Sequence, residues 1–170
     1  MFSRRLSILL AIVIVGGLLS ACSSGSSSDS DSWPSTDVIE VSSNTATSTE
    51  SITGDKVTII NLWALWCAPC REELPRLQDV STENSEILDV VGVNIGDDFG
   101  KTTAYIKEAG LTFPMYWDET GDLLTALKIP SVPATLAVNE DGDIIWFHLG
   151  ALSASELETK VSDLASSSAQ

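Results

Sequence analysis

Cys67 and Cys70, three residues apart in Trp66-Cys67-Ala68-Pro69-Cys70, are the residues of this chain best suited to do chemistry. An apolar run ends at the first cysteine, and Arg71-Glu72-Glu73-Leu74 after the second are helix formers, so the stretch reads as strand, sharp turn and helix. A helix N-terminus offers unpaired amide N–H groups and the positive end of the macrodipole, and both favour a thiolate over a thiol. Cys67 is therefore expected to ionise more readily than a free cysteine. Positions i and i+3 share one helix face, which brings the two sulfurs within bonding reach. Reversible thiol–disulfide exchange is the chemistry open to such a pair. Pro69 falls in the first helical turn, where its missing N–H is no loss.

Two blander uses of the pair fare worse. A structural zinc site needs about four ligands, whereas the chain offers three cysteines and one histidine, with Cys22 far away. No metal site is expected. A purely structural disulfide across so short a loop would restrain the unfolded chain weakly.

The elements that must position the pair can be read around it. Val57 to Leu62 is continuous and β-branched, as a buried strand should be, and the helix after Cys67 is expected to run toward Asp79 with a kink at Pro75. Ile87 to Asn94 supplies a second buried strand, and Lys101 to Ala109 a helix ending at Gly110. This β-α-β order implies parallel strands. After Phe113-Pro114 the pattern gives a short helix over 122–127. Ala134 to Asn139 and Ile144 to Leu149 follow as an antiparallel hairpin around Glu140-Asp141-Gly142-Asp143. A last helix starts near Ala154, with Ser153 and Glu156 as a capping box.

Residues 1–21 carry Arg4 and Arg5, an apolar core from Leu6 to Leu19, and then Leu19-Ser20-Ala21-Cys22. This is the pattern of an export signal. The apolar run is shorter than the ~20 residues a membrane span requires. Leu-Ser-Ala-Cys resembles the lipobox of bacterial lipoproteins, which makes Cys22 the expected lipid attachment point and anchors the chain to an extracytoplasmic membrane face. Ser3-Arg4-Arg5 matches part of a twin-arginine signal too loosely to choose the export route. Residues 22–53 are dominated by Ser, Thr, Asp and Asn and read as a lipidated cysteine followed by a disordered tether, with Val38-Ile39-Glu40-Val41 a weak edge strand at most. The folded domain is then expected over 54–170.

The formal net charge is −15, and removal of the signal takes away Arg4 and Arg5 but no acid, leaving 24 acidic against 7 basic residues. Nucleic acid and anionic lipid are poor partners for such a surface.

The sequence Asn61-Leu62-Trp63-Ala64-Leu65-Trp66-Cys67-Ala68-Pro69-Cys70-Arg71-Glu72-Glu73-Leu74-Pro75, with Val132-Pro133-Ala134-Thr135 downstream, resembles the thioredoxin superfamily. The nearest likeness is to its membrane-tethered TlpA/ResA-like branch of extracytoplasmic thiol-disulfide oxidoreductases. The resemblance implies an α/β, three-layer thioredoxin-like fold, in which a mixed central sheet joins the parallel β-α-β unit and the antiparallel C-terminal hairpin between helices. It implies Cys67 as attacking thiol, Cys70 as resolving thiol, and a cis Pro133 that exposes the Val132 backbone to an extended client segment. Trp66 would border that groove, while Trp63 belongs to the core. The buried aspartate of cytoplasmic thioredoxins is replaced here by Asn61, and Glu73 stands where this branch places an acid near the dithiol. Glu73 either takes the Cys70 proton or is a solvated partner of Arg76. Glu72 is expected in an ion pair with Arg76, and the lone strand histidine, His148, in a structural role.

The implied function is reduction of disulfides in envelope proteins, apocytochrome c among them, with electrons from a membrane partner and no cofactor beyond the Cys67–Cys70 disulfide. Two alternatives use the same sulfurs. The dithiol could run as an oxidant, since spacing does not set poise, or it could carry copper(I). A peroxidase reading is weaker, because Ala64 stands where the Thr-x-x-Cys pattern needs threonine. The N-terminal hairpin usual in this branch is not evident before Gly54.

Overall fold

The computed structural model describes residues 32–167 of the 170-residue chain. The expected signal peptide and the Cys22 attachment point lie outside the described residues.

Seven strands form one mixed sheet: β1 Asp37–Glu40, β2 Thr45–Ser48, β3 Val57–Trp63, β4 Leu88–Ile95, β5 Met115–Asp118, β6 Ala134–Val138 and β7 Ile144–Leu149. Their spatial order is β2-β1-β5-β4-β3-β6-β7. The expected β-α-β unit forms, with β3 parallel to β4, and β4 is also parallel to β5; every other pairing is antiparallel. The helices are α1 Ala68–Glu83, α2 Phe99–Glu108, α3 Asp122–Leu127 and α4 Ala154–Ser167. Helices α1 and α4, with the apolar side of α2, pack on one face of the sheet around Ile59, Trp63, Leu74, Leu77 and Leu157. Leu123 of α3, with Trp33 and Ile52, covers the other face over Ile60, Leu62, Val91 and Leu136. This is the three-layer α/β arrangement implied by the resemblance, and β3 in its interior is buried on both faces, as a continuous apolar run requires.

The tether and the domain boundary at residue 54 need correction. From Ser32 onward the chain is folded: Ser32 bridges Asp143, Trp33 is buried, and its indole N–H donates to the Thr49 carbonyl at 2.8 Å. Thr49 is fully buried as well, its backbone N–H bonding the Thr36 carbonyl and its hydroxyl accepting the Thr36 N–H, each at 2.9 Å. β1 and β2 pair as an N-terminal antiparallel hairpin ahead of Gly54. Ser42 and Ser43 hydroxyls close its turn by donating to the Glu40 carboxylate at 2.7 and 2.8 Å, and those bonds lower the Glu40 pKa. Ser and Thr are here hydrogen-bonding parts of an edge, and their abundance misled a reading based on composition.

Two smaller differences concern the centre of the chain. Helix α1 continues through Pro75 to Glu83, past the expected end at Asp79. Strand β5, which the sequence reading lacked, docks beside β4 at Gly92, where an added Cβ would lie 2.4 Å from Met115 Sδ. The capping box forms as expected: the Ser153 N–H donates to Glu156 Oε2 at 2.9 Å, and the Glu156 N–H to Ser153 Oγ at 3.3 Å.

Candidate active site

β3 delivers the chain to the rim of the sheet and α1 begins five residues beyond its last residue, Trp63, so the dithiol sits where an interior strand runs into a helix. Cys67 is the N-cap of α1, in extended backbone, and Pro69 lies in the first turn. The Cys70 N–H donates to Cys67 Sγ at 3.2 Å, so a backbone donor is already directed at the sulfur expected to carry negative charge. The two sulfurs are bonded, with their Cα atoms 5.3 Å apart. Cys67 is 4% exposed and Cys70 0%, whereas Trp66 beside them is 71% exposed.

Pro133 immediately precedes β6, and Ala134 pairs with Leu62, so the residues 132–133 lie at the same end of the sheet as the Cys67 loop. The Val132–Pro133 bond is cis, as expected. Pro133 is buried, Val132 half-buried and packed at the margin of both cores. The Pro133 carbonyl accepts the Gly150 N–H at 2.9 Å, which ties this loop to the end of β7.

Glu73, one turn beyond Cys70, is not a solvated helix residue. It is 0% exposed, and among the described residues neither carboxyl oxygen has a hydrogen-bond partner. Burial pushes its pKa up to about 7. The Leu152 backbone and the charge of Arg76 pull the other way, without closing a hydrogen bond on the carboxyl. The expected Glu72–Arg76 ion pair is absent too, because Arg76 Nη1 is turned to the Leu152 carbonyl at 3.0 Å. Asn61 is buried on β3 and donates from Nδ2 to Thr135 Oγ1 at 3.0 Å. His148 stacks on Trp146 at 6.1 Å, and Lys160 lies over the same indole at 5.3 Å, a packing arrangement on β7 and α4.

Sequence reasoning missed Asp97. Its carboxylate accepts the Leu65 N–H in the loop before Cys67. The local sequence Gly96-Asp97-Asp98 signals a turn and a helix cap, and Asp98 does cap α2, but nothing local points Asp97 at a residue 32 positions away.

Comparison with known proteins agrees with this geometry. Residues 32–147 match the AhpC/TSA family. The chain is 30% identical to the thiol-disulfide oxidoreductase ResA of Oceanobacillus iheyensis, over 96% of this chain and 89% of that protein. It is 31% identical to the thiol:disulfide interchange protein DsbE of Escherichia coli over 66% of this chain and 60% of that one. A solved DsbF homologue from Corynebacterium diphtheriae superposes with a TM-score of 0.66 at 28% identity, covering 78% of this chain and 84% of the other. A secreted disulfide oxidoreductase of Mycobacterium tuberculosis, at 24% identity and the same TM-score of 0.66 over 76% of this chain and 96% of its own, shares the fold. With a bonded Cys-x-x-Cys pair at the N-terminus of α1 and these relatives, the chain belongs to the AhpC/TSA family in the thioredoxin superfamily, among the thiol-disulfide oxidoreductases of ResA and DsbE type.

Proposed function

We propose that the protein is exported, held by a lipid on Cys22 at the outer face of a bacterial membrane, and reduces disulfides in envelope proteins. Apocytochrome c is the client that the family resemblance suggests. The Cys67 thiolate attacks a client disulfide, forming a Cys67–client bond and releasing the client's other sulfur as thiolate. Cys70 then gives its proton to the Glu73 carboxylate and attacks Cys67 Sγ, leaving the client reduced by two electrons and Cys67–Cys70 oxidised. A membrane partner returns the two electrons. The disulfide itself is the redox group, so the reaction calls for no further cofactor. Trp66, Val132 and Pro133 border the groove in which an extended client segment lies.

The observation that best supports this reading is the placing of the two sulfurs: Cys67 at the helix cap under the Cys70 N–H, and Cys70 fully buried one turn before a buried acid. The first is built to leave as or attack as a thiolate, and the second to wait until a mixed disulfide forms. Trapping tests it. Cys70→Ala is expected to accumulate a mixed disulfide through Cys67 in the cell envelope, and mass spectrometry of the adduct names the client. Absence of any adduct would sink the proposal. A midpoint potential in the range of strong oxidants would turn the same dithiol into a disulfide-forming one, and stoichiometric retention of copper(I) against a chelator would make it a metal carrier.

A further inference from the structure

The loop that carries the nucleophile is a four-residue turn, Ala64 to Cys67, closed by the Cys67 N–H on the Ala64 carbonyl at 3.2 Å. Such a turn leaves the N–H of its second residue without a partner inside the turn. In this protein that group, the Leu65 N–H, donates to Oδ2 of Asp97. The same oxygen accepts Asn94 Nδ2 at 2.8 Å, and Asn94 is in turn fixed by the Thr102 hydroxyl of α2, which donates to its Oδ1 at 3.1 Å. Asn94 and Thr102 are both 0% exposed. The Asp97 backbone is held independently, since its carbonyl accepts Trp117 Nε1 of β5 at 2.7 Å, and Trp117 packs edge-on against Phe99 with centroids 5.2 Å apart. Main chain and carboxylate of Asp97 are thus fixed by three elements, β4, α2 and β5, and one acceptor is aimed at the loop.

We propose that Asp97 is a positioning residue for Cys67, acting through the Leu65 amide. The segment 99–118, which the sequence inserts between β4 and α3, then does more than widen the sheet: it sets the aim of the attacking sulfur. The turn is anchored at one end by the buried Ala64 and at the other by α1, while Trp66 between them is largely exposed and gives little restraint. Without the Asp97 bond the turn could rotate about its middle, carrying Cys67 Sγ away from the Cys70 N–H that stabilises its thiolate. Misplacement of a reacting group by about 1 Å can cost about a hundredfold in rate, so a partial loss is readily measured.

The inference rests on exchange running through Cys67, and the test separates the two. Reduced wild-type protein, Asp97→Asn and Asp97→Ala are compared for the rate of attack on a small aromatic disulfide and for the Cys67 titration followed by thiolate ultraviolet absorbance. Asn keeps the accepting oxygen and loses the charge, whereas Ala loses both. D97A is expected to react about tenfold more slowly, with the Cys67 titration moved up, and D97N to stay within about twofold of wild type. A D97A protein with a lower melting temperature but an unchanged rate and titration would make Asp97 a packing residue only. Equal loss in D97N and D97A would assign the effect to charge. Either result overturns the proposal. Should D97A fail to fold, Asn94→Ala leaves Asp97 in place but frees its carboxylate to turn; it is expected to slow attack about threefold, and no change there also overturns the proposal. Failure of the functional reading looks different, because wild-type protein itself would then not exchange.

Discussion

Glu73 on α1 and Asp118 at the end of β5 are both buried carboxylates, 0% and 1% exposed, and the fold treats them in opposite ways. Asp118 Oδ1 accepts the N–H groups of Gly121 at 2.9 Å and Asp122 at 3.2 Å, and its Oδ2 accepts that of Leu123 at 3.0 Å. It serves as the cap of α3, whose own N-cap position is Gly121, with no side chain to offer and φ of 76°. Glu73 has the same chemical group, but among the described residues neither of its oxygens closes a hydrogen bond, and the Leu152 backbone only holds its pKa down in part. Equal burial therefore says little about what a carboxylate does. The supply of donors decides: a carboxylate met by backbone N–H groups is a structural clamp, and one left without them gains and loses a proton near neutral pH.

The comparison breaks most visibly at the clamp. Asp118→Ala strands three N–H groups at the start of a short helix whose Leu123 side chain is fully buried. A loss of about 4 kcal/mol in unfolding free energy is expected, measured by urea denaturation, with the exchange rate of the surviving folded protein unchanged. A loss below about 1 kcal/mol would mean that water replaces the carboxylate there at little cost.

Glu73→Gln should act on the other side of the contrast, with less effect on stability and more on chemistry. Folding raises the Glu73 pKa from 4.5 to about 7, so the folded protein prefers the protonated acid. The associated stability is whole below about pH 4.5 and is lost as pH rises through 7. Wild-type oxidised protein is therefore expected to lose about 2 kcal/mol between pH 5 and pH 8, and E73Q, which mimics the protonated form, to show no such slope. The step in which Cys70 resolves a mixed disulfide should slow about a hundredfold in E73Q, the loss expected of a missing proton acceptor. Parallel pH slopes in the two proteins would place the titration on another group.

What could be read from the sequence divides along the same line between local and long-range causes. The β3–α1 junction was legible because its signals are adjacent: an apolar β-branched run, two cysteines at helical spacing, a proline in the first turn. The α4 capping box was legible for the same reason. β1 and β2 were not, because an edge hairpin built from Asp-Val-Ile-Glu and Thr-Ala-Thr-Ser has little apolar pattern. Its order comes from Trp33 and Thr49 bonding across 16 residues. β5 is short and follows a proline, and its place depends on Gly92 of another strand. At the site, helical spacing put Glu73 on the Cys70 face but could not tell whether water reached it. Although Arg76 is local, on the same helix, the Leu152 backbone that acts on the carboxyl comes from the far end of the domain. Asp97 was invisible for the same reason.

Arg76 offers the finest test of the contrast, because it influences Glu73 without touching it. Its guanidinium holds the Leu152 carbonyl at 3.0 Å, and its positive charge is one of two effects that keep the Glu73 pKa from rising further. Arg76→Ala removes that charge and one hydrogen bond, so the pH at which stability falls should move upward while the protein loses about 1 kcal/mol at pH 5. Titration of the denaturation midpoint against pH reads both effects in one experiment. The control is the double variant: R76A placed on E73Q should keep the loss at pH 5 and show no pH slope, because the group that felt the charge is gone. If R76A left the inflection of the single variant where it lies in wild type, solvent would be screening the guanidinium. Burial alone would then set the proton affinity of Glu73, and the contrast with Asp118 would reduce to the presence or absence of backbone donors.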